Sequence, residues 1–409
     1  PGKPIYFALT SGTTSGSKYI PITKDSLKNH LNGAKNAILN YVAQTKKTSF
    51  IKGKFIFIQG SPLLNKISEI SIGRLSGISA HHIPFYMQSK MLPSWETNII
   101  EDWESKLERI IDETIDKDMT IISGIPSWVQ MYFEKIVERK QKKIGTIFQN
   151  FKLFIYGGVN YKPYEKKFKS LIGRKIDSIE LFPASEGFYA FQDKQESKEL
   201  LLILNDGIFY EFIEQKKFHS NIFDRISIAE VCLNTNYVLI VSTTAGLWAY
   251  NTGDTIKFTS LKPYRVVVTG RVAQFLSAFG EHVIVKEVEL AVEEACVKTG
   301  ETVNEFTVAP KFKKGSEMAR HEWFVEFAQE NPDIQTFQTN IDIALQKQNK
   351  YYQDLVSGKI IAPAKVNIVK KGGFNKYMKS IGKLGGQNKI PKISNNRKVA
   401  DKLNKLNLI

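Results

Sequence analysis

The stretch from Tyr6 to Pro21, YFALTSGTTSGSKYIP, constrains this chain most tightly. Tyr6–Leu9 is four apolar or aromatic residues in a row, the pattern of a short buried strand. It runs straight into Thr10-Ser11-Gly12-Thr13-Thr14-Ser15-Gly16-Ser17-Lys18, where nearly every side chain is a hydroxyl or is absent. Glycines let backbone N–H groups turn toward an anion with no Cβ in the way. The hydroxyls add donors and Lys18 adds a positive charge, so the stretch suits a polyphosphate. It is not a Walker A loop, because Gly12 and Lys18 do not fit G-x-x-x-x-G-K-[ST]. A flexible Gly/Ser/Thr linker is the bland alternative. A linker has no reason to hang from a buried strand and end in Lys-x-Ile-Pro.

The 409 residues allow two domains or more, and 42% apolar content with 11% aromatics supports real cores. No apolar run approaches the length of a membrane span, and no signal peptide is visible. Two cysteines, Cys232 and Cys296, can build neither a disulfide framework nor a Cys-rich zinc site, which points to a reducing cytoplasm. The net charge of +16 is uneven: from Lys350 to Ile409 there are 14 Lys/Arg against 2 acids, or +12, leaving +4 for the rest. Nucleic acid, a polyphosphate ligand or plain solubility could each use such a tail. No nucleic-acid fingerprint accompanies it, so a solvated basic face with one or two functional lysines is expected. Neither a nucleic acid nor a membrane is expected as partner, and a monomer is.

After the loop, Thr23 reads as an N-cap, with Leu27, Leu31, Ala34, Ile38 and Val42 on one helical face. Lys54–Gln59 and Ile78–Pro84 read as strands. On such a strand His81 and His82 would point to opposite faces, so both are read as structural rather than as a metal pair. Glu101–Asp118 reads as a charged helix, then Met119–Ser123 as a buried strand, with Pro126 opening a helix. Trp128, Met131, Tyr132 and Ile136 recur at helical spacing, which is first of all core packing. Lys152–Tyr156 and Ile176–Phe182 are further strands, separated by a helix from about Pro163 to Ile172. This alternation argues for a parallel sheet with crossover helices, whose ligands bind at strand ends.

The texture then changes. Leu200–Leu204 and Ile208–Ile213, joined by Asn205-Asp206-Gly207, read as a hairpin. Tyr237–Thr243, Thr255–Phe258 and Arg265–Thr269 read as short strands of an antiparallel, barrel-like part beside the parallel sheet. Beyond Gly270-Arg271 the reading is helix Lys286–Lys298, strands Asn304–Ala309 and His321–Ala328, one long helix Asp333–Val356, and strand Lys365–Val369. The expected fold class is α/β: a large N-terminal domain of mixed and parallel sheets with flanking helices and the antiparallel part, then a small α+β C-terminal domain on a hinge. The expected boundary lies between residues 271 and 272.

Seven motifs now fall in order. The loop [ST]-S-G-T-[ST]-x-G-x-K-x-[IV]-P resembles the ATP loop of adenylate-forming enzymes. Among these it is most similar to the acyl-acid amido synthetases, the auxin- and jasmonate-conjugating family of plants with its bacterial relatives. Gly157-Gly158-Val159 is similar to the glycine pair whose backbone lies along adenine. Phe182-Pro183-Ala184-Ser185-Glu186-Gly187 is close to the family's own aromatic-Pro-Ala-Ser-Glu-Gly run. Tyr250-Asn251-Thr252-Gly253-Asp254 matches Tyr-x-x-Gly-Asp, and Gly270-Arg271 matches the Gly-Arg that opens the hinge. Phe275–Val288 resembles the stretch after the hinge, and Gly385–Lys392 resembles the C-terminal Gln-x-Lys-x-Pro-Arg.

The resemblance implies adenylation of a carboxylic acid by ATP with Mg²⁺, followed by transfer of the acyl group to an amine, typically an amino acid. Thr10–Ser15 and Lys18 would hold the outer phosphates. Phe182 would offer adenine a flat face, Ser185 a donor to the α-phosphate, and Glu186 a hard ligand to Mg²⁺. Asp254 would accept both ribose hydroxyls, and Arg271 would reach ribose or phosphate. Lys389 would be the mobile-domain lysine that enters for adenylation, although Lys392 stands where the family has arginine and competes for the role. Ser127–Tyr132 would line the acyl pocket. In that family an upstream segment precedes the loop.

Each match alone has a dull reading: Asp254 as a turn residue, Glu186 as a helix N-terminal carboxylate, Lys389 as one lysine in a basic tail. Order and context carry the weight. Two alternatives remain, an acid–coenzyme A ligase and a nucleotide-binding protein that does not turn over.

Overall fold

A computed structural model gives the architecture; it describes residues 2–10, 18–158, 161–272, 275–276, 278–279, 281, 283–312, 317–384 and 389–409. Ser11, Gly12, Thr13, Thr14, Ser15, Gly16, Ser17, Val159 and Gly385–Asn388 therefore lie outside the described residues.

In chain order the first strands are β1 (Tyr6–Thr10), β2 (Lys18–Ile22), β3 (Lys54–Ile58), β4 (Asn65–Ile67), β5 (Ile70–Gly73) and β6 (Met91–Leu92). Then come β7 (Met119–Gly124), β8 (Leu153–Gly157), β9 (Asp177–Ala184), β10 (Gly187–Phe191) and β11 (Leu200–Leu202). The antiparallel part adds β12 (Ile208–Glu214), β13 (Asn236–Thr243), β14 (Tyr250–Leu261) and β15 (Tyr264–Arg271). The C-terminal part holds β16 (Phe275–Leu276), β17 (Val283–Ile284), β18 (Val303–Lys311), β19 (Arg320–Phe327) and β20 (Ala362–Ile368).

The central sheet has eleven strands in the order β12-β13-β14-β15-β11-β10-β9-β8-β7-β3-β6. From β9 to β6 every pair is parallel, and from β10 to β12 every pair is antiparallel. The parallel half is covered by helices, and β8 is buried along Leu153–Tyr156, as its unbroken apolar run requires. The expected antiparallel part is thus an extension of this one sheet rather than a body beside it.

Three sequence readings need correction. Leu200–Leu204 and Ile208–Ile213 do not form a hairpin; β11 pairs with β10 and β15, while β12 pairs with β13. The Asp206-Gly207 turn is real, with Gly207 at φ +79°, but it sends the chain across the sheet instead of back on itself. Ile78–Pro84 is not a strand, because Leu75–Ala80 is helical and buries Ile78 fully. His81 and His82 follow in a turn, and each already has a partner: His81 Nε2 lies 3.0 Å from the Pro62 carbonyl oxygen and His82 Nε2 3.1 Å from the Tyr6 hydroxyl. The long C-terminal helix is two, Ile334–Gln348 and Lys350–Ser357, broken at Asn349, whose Oδ1 accepts from the Tyr352 N–H at 2.9 Å and caps the second.

Residues from Leu276 onward bury their own cores. One is built on Phe306, Trp323, Val325, Phe337, Ile341 and Leu345. Here the sheet order is β18-β19-β20, flanked by the helix Val285–Thr299 and the Ile334–Gln348 helix.

Candidate active site

Thr10 pairs with Lys18 across β1 and β2, so the Gly/Ser/Thr stretch is the connection of an antiparallel hairpin. The same hairpin sets Lys18 at the mouth of a cavity of about 2630 Å³ that Glu186, Asp254, Arg271 and Lys389 also line. The Lys18 ammonium stands 5.8 Å from the centre of the Tyr250 ring.

Ser185 and Glu186 form the two-residue turn between β9 and β10, with Ala184 paired to Gly187. Burial raises the Glu186 carboxyl above its ordinary value, and Asp254 raises it further, while Arg271 and Lys18 oppose both. Phe182 is 9% exposed and packs edge to face on Tyr189, so most of its ring is committed to the core.

Asp254 and Arg271 are direct partners across β14 and β15. Arg271 Nε lies 3.0 Å from Asp254 Oδ1, and its Nη2 donates to the Thr252 carbonyl at 2.9 Å. Gly253, at φ +78°, sits in a bulge of β14 next to this pair; its carbonyl accepts from the Val272 N–H at 2.8 Å. Burial raises the Asp254 carboxyl, and Arg271 and then Lys389 pull it back.

The C-terminal lysines are sorted by one clamp. Residues 391–394 run along β18: Thr307 Oγ1 donates to the Pro391 carbonyl at 2.6 Å, Val308 N–H to the Lys392 carbonyl at 2.9 Å, and Ser394 N–H to the Val308 carbonyl at 3.0 Å. That pairing turns Lys392 onto Glu305 of the same strand, with its ammonium 4.8 Å from the Phe306 ring centre and 5.6 Å from that of Tyr164. Lys389 projects the other way, and its ammonium donates to the Gly158 carbonyl. Gly158 sits at φ +79°, one residue past β8, where Gly157 must lack a Cβ because one would stand 2.7 Å from the Leu181 carbonyl oxygen.

The surroundings push the Lys389 ammonium down to about 8, crowding and Arg271 lowering it and Asp254 raising it. A value of about 8 keeps the ammonium mostly charged at neutral pH. Lys392 is moved up instead, because Glu305 and Tyr164 outweigh its burial.

Gly157, Gly158, Phe182, Ala184, Ser185, Glu186, Asp254, Arg271, Lys18 and Lys389 thus line one cavity. Of Ser127–Tyr132, Ser127, Trp128, Gln130 and Met131 also line it, while Tyr132 is fully buried with its hydroxyl 2.8 Å from that of Thr114. Sequence reasoning missed Glu305, whose pairing with Lys392 spans 87 residues and leaves no local signal, and His30 on the Lys24–Thr45 helix. Among the described residues no three metal-ligating side chains cluster. A lone Glu186 fits Mg²⁺ that arrives with a nucleotide, since that ion takes one or two carboxylates and fills its shell with phosphate oxygens and water.

A mixed sheet with a strand-tip cleft, closed by a small C-terminal unit, is the fold of the adenylate-forming enzymes. The solved structure of AtGH3.15 acyl acid amido synthetase in complex with 2,4-DB is similar over 99% of this chain and 82% of its own, with TM-score 0.79 and 15% identity. A 2-hydroxyisobutyryl-CoA ligase in the postadenylation state, in complex with R3-HIB-AMP, is similar over 99% and 76%, with TM-score 0.64 and 13% identity.

The chain belongs to the GH3 family: the family's N-terminal domain matches residues 1–176, its central domain residues 201–271 and its C-terminal domain residues 286–398. Indole-3-acetic acid-amido synthetase GH3.3 of Arabidopsis thaliana is 25% identical over 229 residues, which is 52% of this chain. That match spans 38% of the curated relative's length.

Proposed function

We propose that the protein adenylates a carboxylic acid with ATP and then passes the acyl group to an amine, with an amino acid as the acceptor. In the first step a carboxylate oxygen attacks the α-phosphorus and pyrophosphate leaves. In the second the amine nitrogen attacks the acyl carbon, AMP leaves, and the nitrogen loses a proton. Family membership and the motif order support this reading, and one observation carries it: Lys389 reaches from the C-terminal unit to the Gly158 carbonyl, beside Asp254 and Arg271.

The protein's work in the first step is positioning and charge stabilisation. Lys18 and the Thr10–Ser15 loop hold the outer phosphates. The Gly157-Gly158 backbone and Phe182 border adenine, and Ser185 donates to the α-phosphate. Asp254 gives up part of its bond with Arg271 to take the ribose hydroxyls. Lys389 supplies a positive charge where the bridging oxygen gains negative charge. Glu186 would hold Mg²⁺, which neutralises phosphate charge when bound. The first 271 residues act as the ATP- and acid-binding domain, and the remainder moves on the segment near Arg271–Phe275 between the two steps.

The acid takes an apolar part of the cavity, which Ala34 and Ile38 line from one face of the sheet and Trp128 and Met131 from the other. Incubating the protein with ATP, Mg²⁺, a panel of acids and mixed amino acids should yield AMP and an amide of matching mass. A thioester formed only when coenzyme A is supplied would assign a ligase instead, and nucleotide binding without product would assign a non-catalytic binder.

A further inference from the structure

The Lys24–Thr45 helix is pressed onto β10 at two points. Asn29 Oδ1 accepts from the Phe188 N–H at 2.7 Å, and Asn29 Nδ2 donates to the Asp206 carbonyl at 3.1 Å. One turn on, a Cβ at Gly33 would stand 2.3 Å from Phe188 Cδ1, so helix and strand touch backbone to ring. His30 is held between these contacts. It is 5% exposed, it lines the cavity, and neither ring nitrogen makes a hydrogen bond of full geometry. The polar group beside it is the Ser185 backbone, which interacts with the ring weakly and favours its protonated form. Burial keeps the imidazole neutral, pushed down to about 4, so it offers one N–H and one lone pair.

Each uncompensated nitrogen costs folding free energy, since the bond it made to water is lost and not replaced. A ring fixed by close packing and bonded only weakly to the Ser185 backbone is placed to tighten that contact when the turn beside it is loaded. The turn at its side, Ser185-Glu186, carries the groups assigned above to the α-phosphate and to Mg²⁺.

We propose that His30 is a positioning residue for that turn: with Mg–ATP bound, its ring N–H donates to the Ser185 carbonyl and fixes the Ser185 hydroxyl and Glu186 carboxylate in their working orientation. The inference rests on the reading of the cavity as a nucleotide site. A second role as general base is excluded, because so weakly basic an imidazole cannot take the proton of an ammonium acceptor.

Calorimetric titration of the full chain with α,β-methylene-ATP, with and without Mg²⁺, tests this on wild type, His30→Leu and His30→Gln. Leucine fills the space without a donor, and glutamine restores one. The expected result is that His30→Leu binds the Mg²⁺ complex about tenfold more weakly while His30→Gln stays within about threefold. The metal-free affinities should differ much less.

Unchanged affinity in His30→Leu overturns the proposal and leaves the nucleotide-site reading standing. So does a loss that is equal with and without Mg²⁺ and tracks a fall in Tm shared by both variants, since a merely structural histidine would behave so. A wild type that binds no nucleotide overturns both. In pyrophosphate exchange, a rise in the half-saturating acid concentration with that for ATP unchanged overturns the proposal in favour of an acid contact.

Discussion

The Lys389 ammonium donates to the Gly158 carbonyl, joining residues 231 apart in sequence and tying the C-terminal unit to the glycine pair at the tip of β8. The loop that carries Lys389 is clipped to β18 on its far side, so the lysine is presented by a fixed support rather than by a free tail. Asp254 and Arg271, which both influence its charge, lie on paired positions of β14 and β15.

Replacing Lys389 with alanine should lower acid-dependent pyrophosphate exchange by about 100-fold or more, as loss of a charge aimed at the reacting centre does. ATP affinity should change little. The ammonium, held at about 8, is lost as pH rises through that value, so wild-type exchange should fall above about pH 8. Lys389→Arg, always charged, should retain part of the rate and lose that alkaline limb. A pH profile of exchange for the three proteins reads all of this.

Lys392 should behave differently. Its charge is spent on Glu305, which also accepts from the Phe306 N–H at 2.8 Å. Both side chains are largely buried, 12% and 17% exposed. Lys392→Ala should destabilise the fold by about 3 kcal/mol, because it strands a carboxylate, yet leave exchange within a few-fold at temperatures where the variant is folded. Thermal melts and exchange assays at one pH separate the two effects.

How much of this was legible in the chain depends on range. The cavity-lining motifs were readable because each is local: Ser185-Glu186 is a turn, Gly253 is a positive-φ bulge just ahead of Asp254 in β14, and Pro126 does open a helix. What failed was pairing. Asn205-Asp206-Gly207 carries every local sign of a hairpin, but β11 finds partners in β10 and β15, and nothing within ten residues announces that. Asn349 interrupts a helical pattern whose apolar period continues on both sides, because a side-chain cap can restart a helix without disturbing the period. Lys389 and Lys392 look alike in sequence, and only the clip along β18 and the Glu305 carboxylate tell them apart.

Glu180 on β9 sets a pH dependence of stability. Burial raises its carboxyl from 4.5 to about 7, with Lys286 and the Tyr156 hydroxyl opposing. Between those values the folded chain holds a proton that the unfolded chain has released, so this group lowers stability as pH rises from about 4.5 to 7. Glu180→Gln should therefore be about 1–2 kcal/mol more stable than wild type at pH 8 and no more stable at pH 4. Denaturant midpoints at the two pH values check the sign.

Gly33 tests the seat of the Lys24–Thr45 helix on β10. Alanine favours a helix interior by about 1 kcal/mol, but here its Cβ would meet the Phe188 ring at 2.3 Å. The clash should win and leave Gly33→Ala about 1–2 kcal/mol less stable than wild type. Shortening Phe188 to leucine in the same chain should recover part of that loss, which a double-mutant cycle measures.

The measurement closest to the central claim is ATP–pyrophosphate exchange with Mg²⁺ across aryl, indole and fatty carboxylic acids. Acid-dependent exchange with one class, abolished in Lys389→Ala and retained in Lys392→Ala, is the predicted result. No exchange with any acid while ATP still binds, or exchange that survives loss of Lys389, would contradict it.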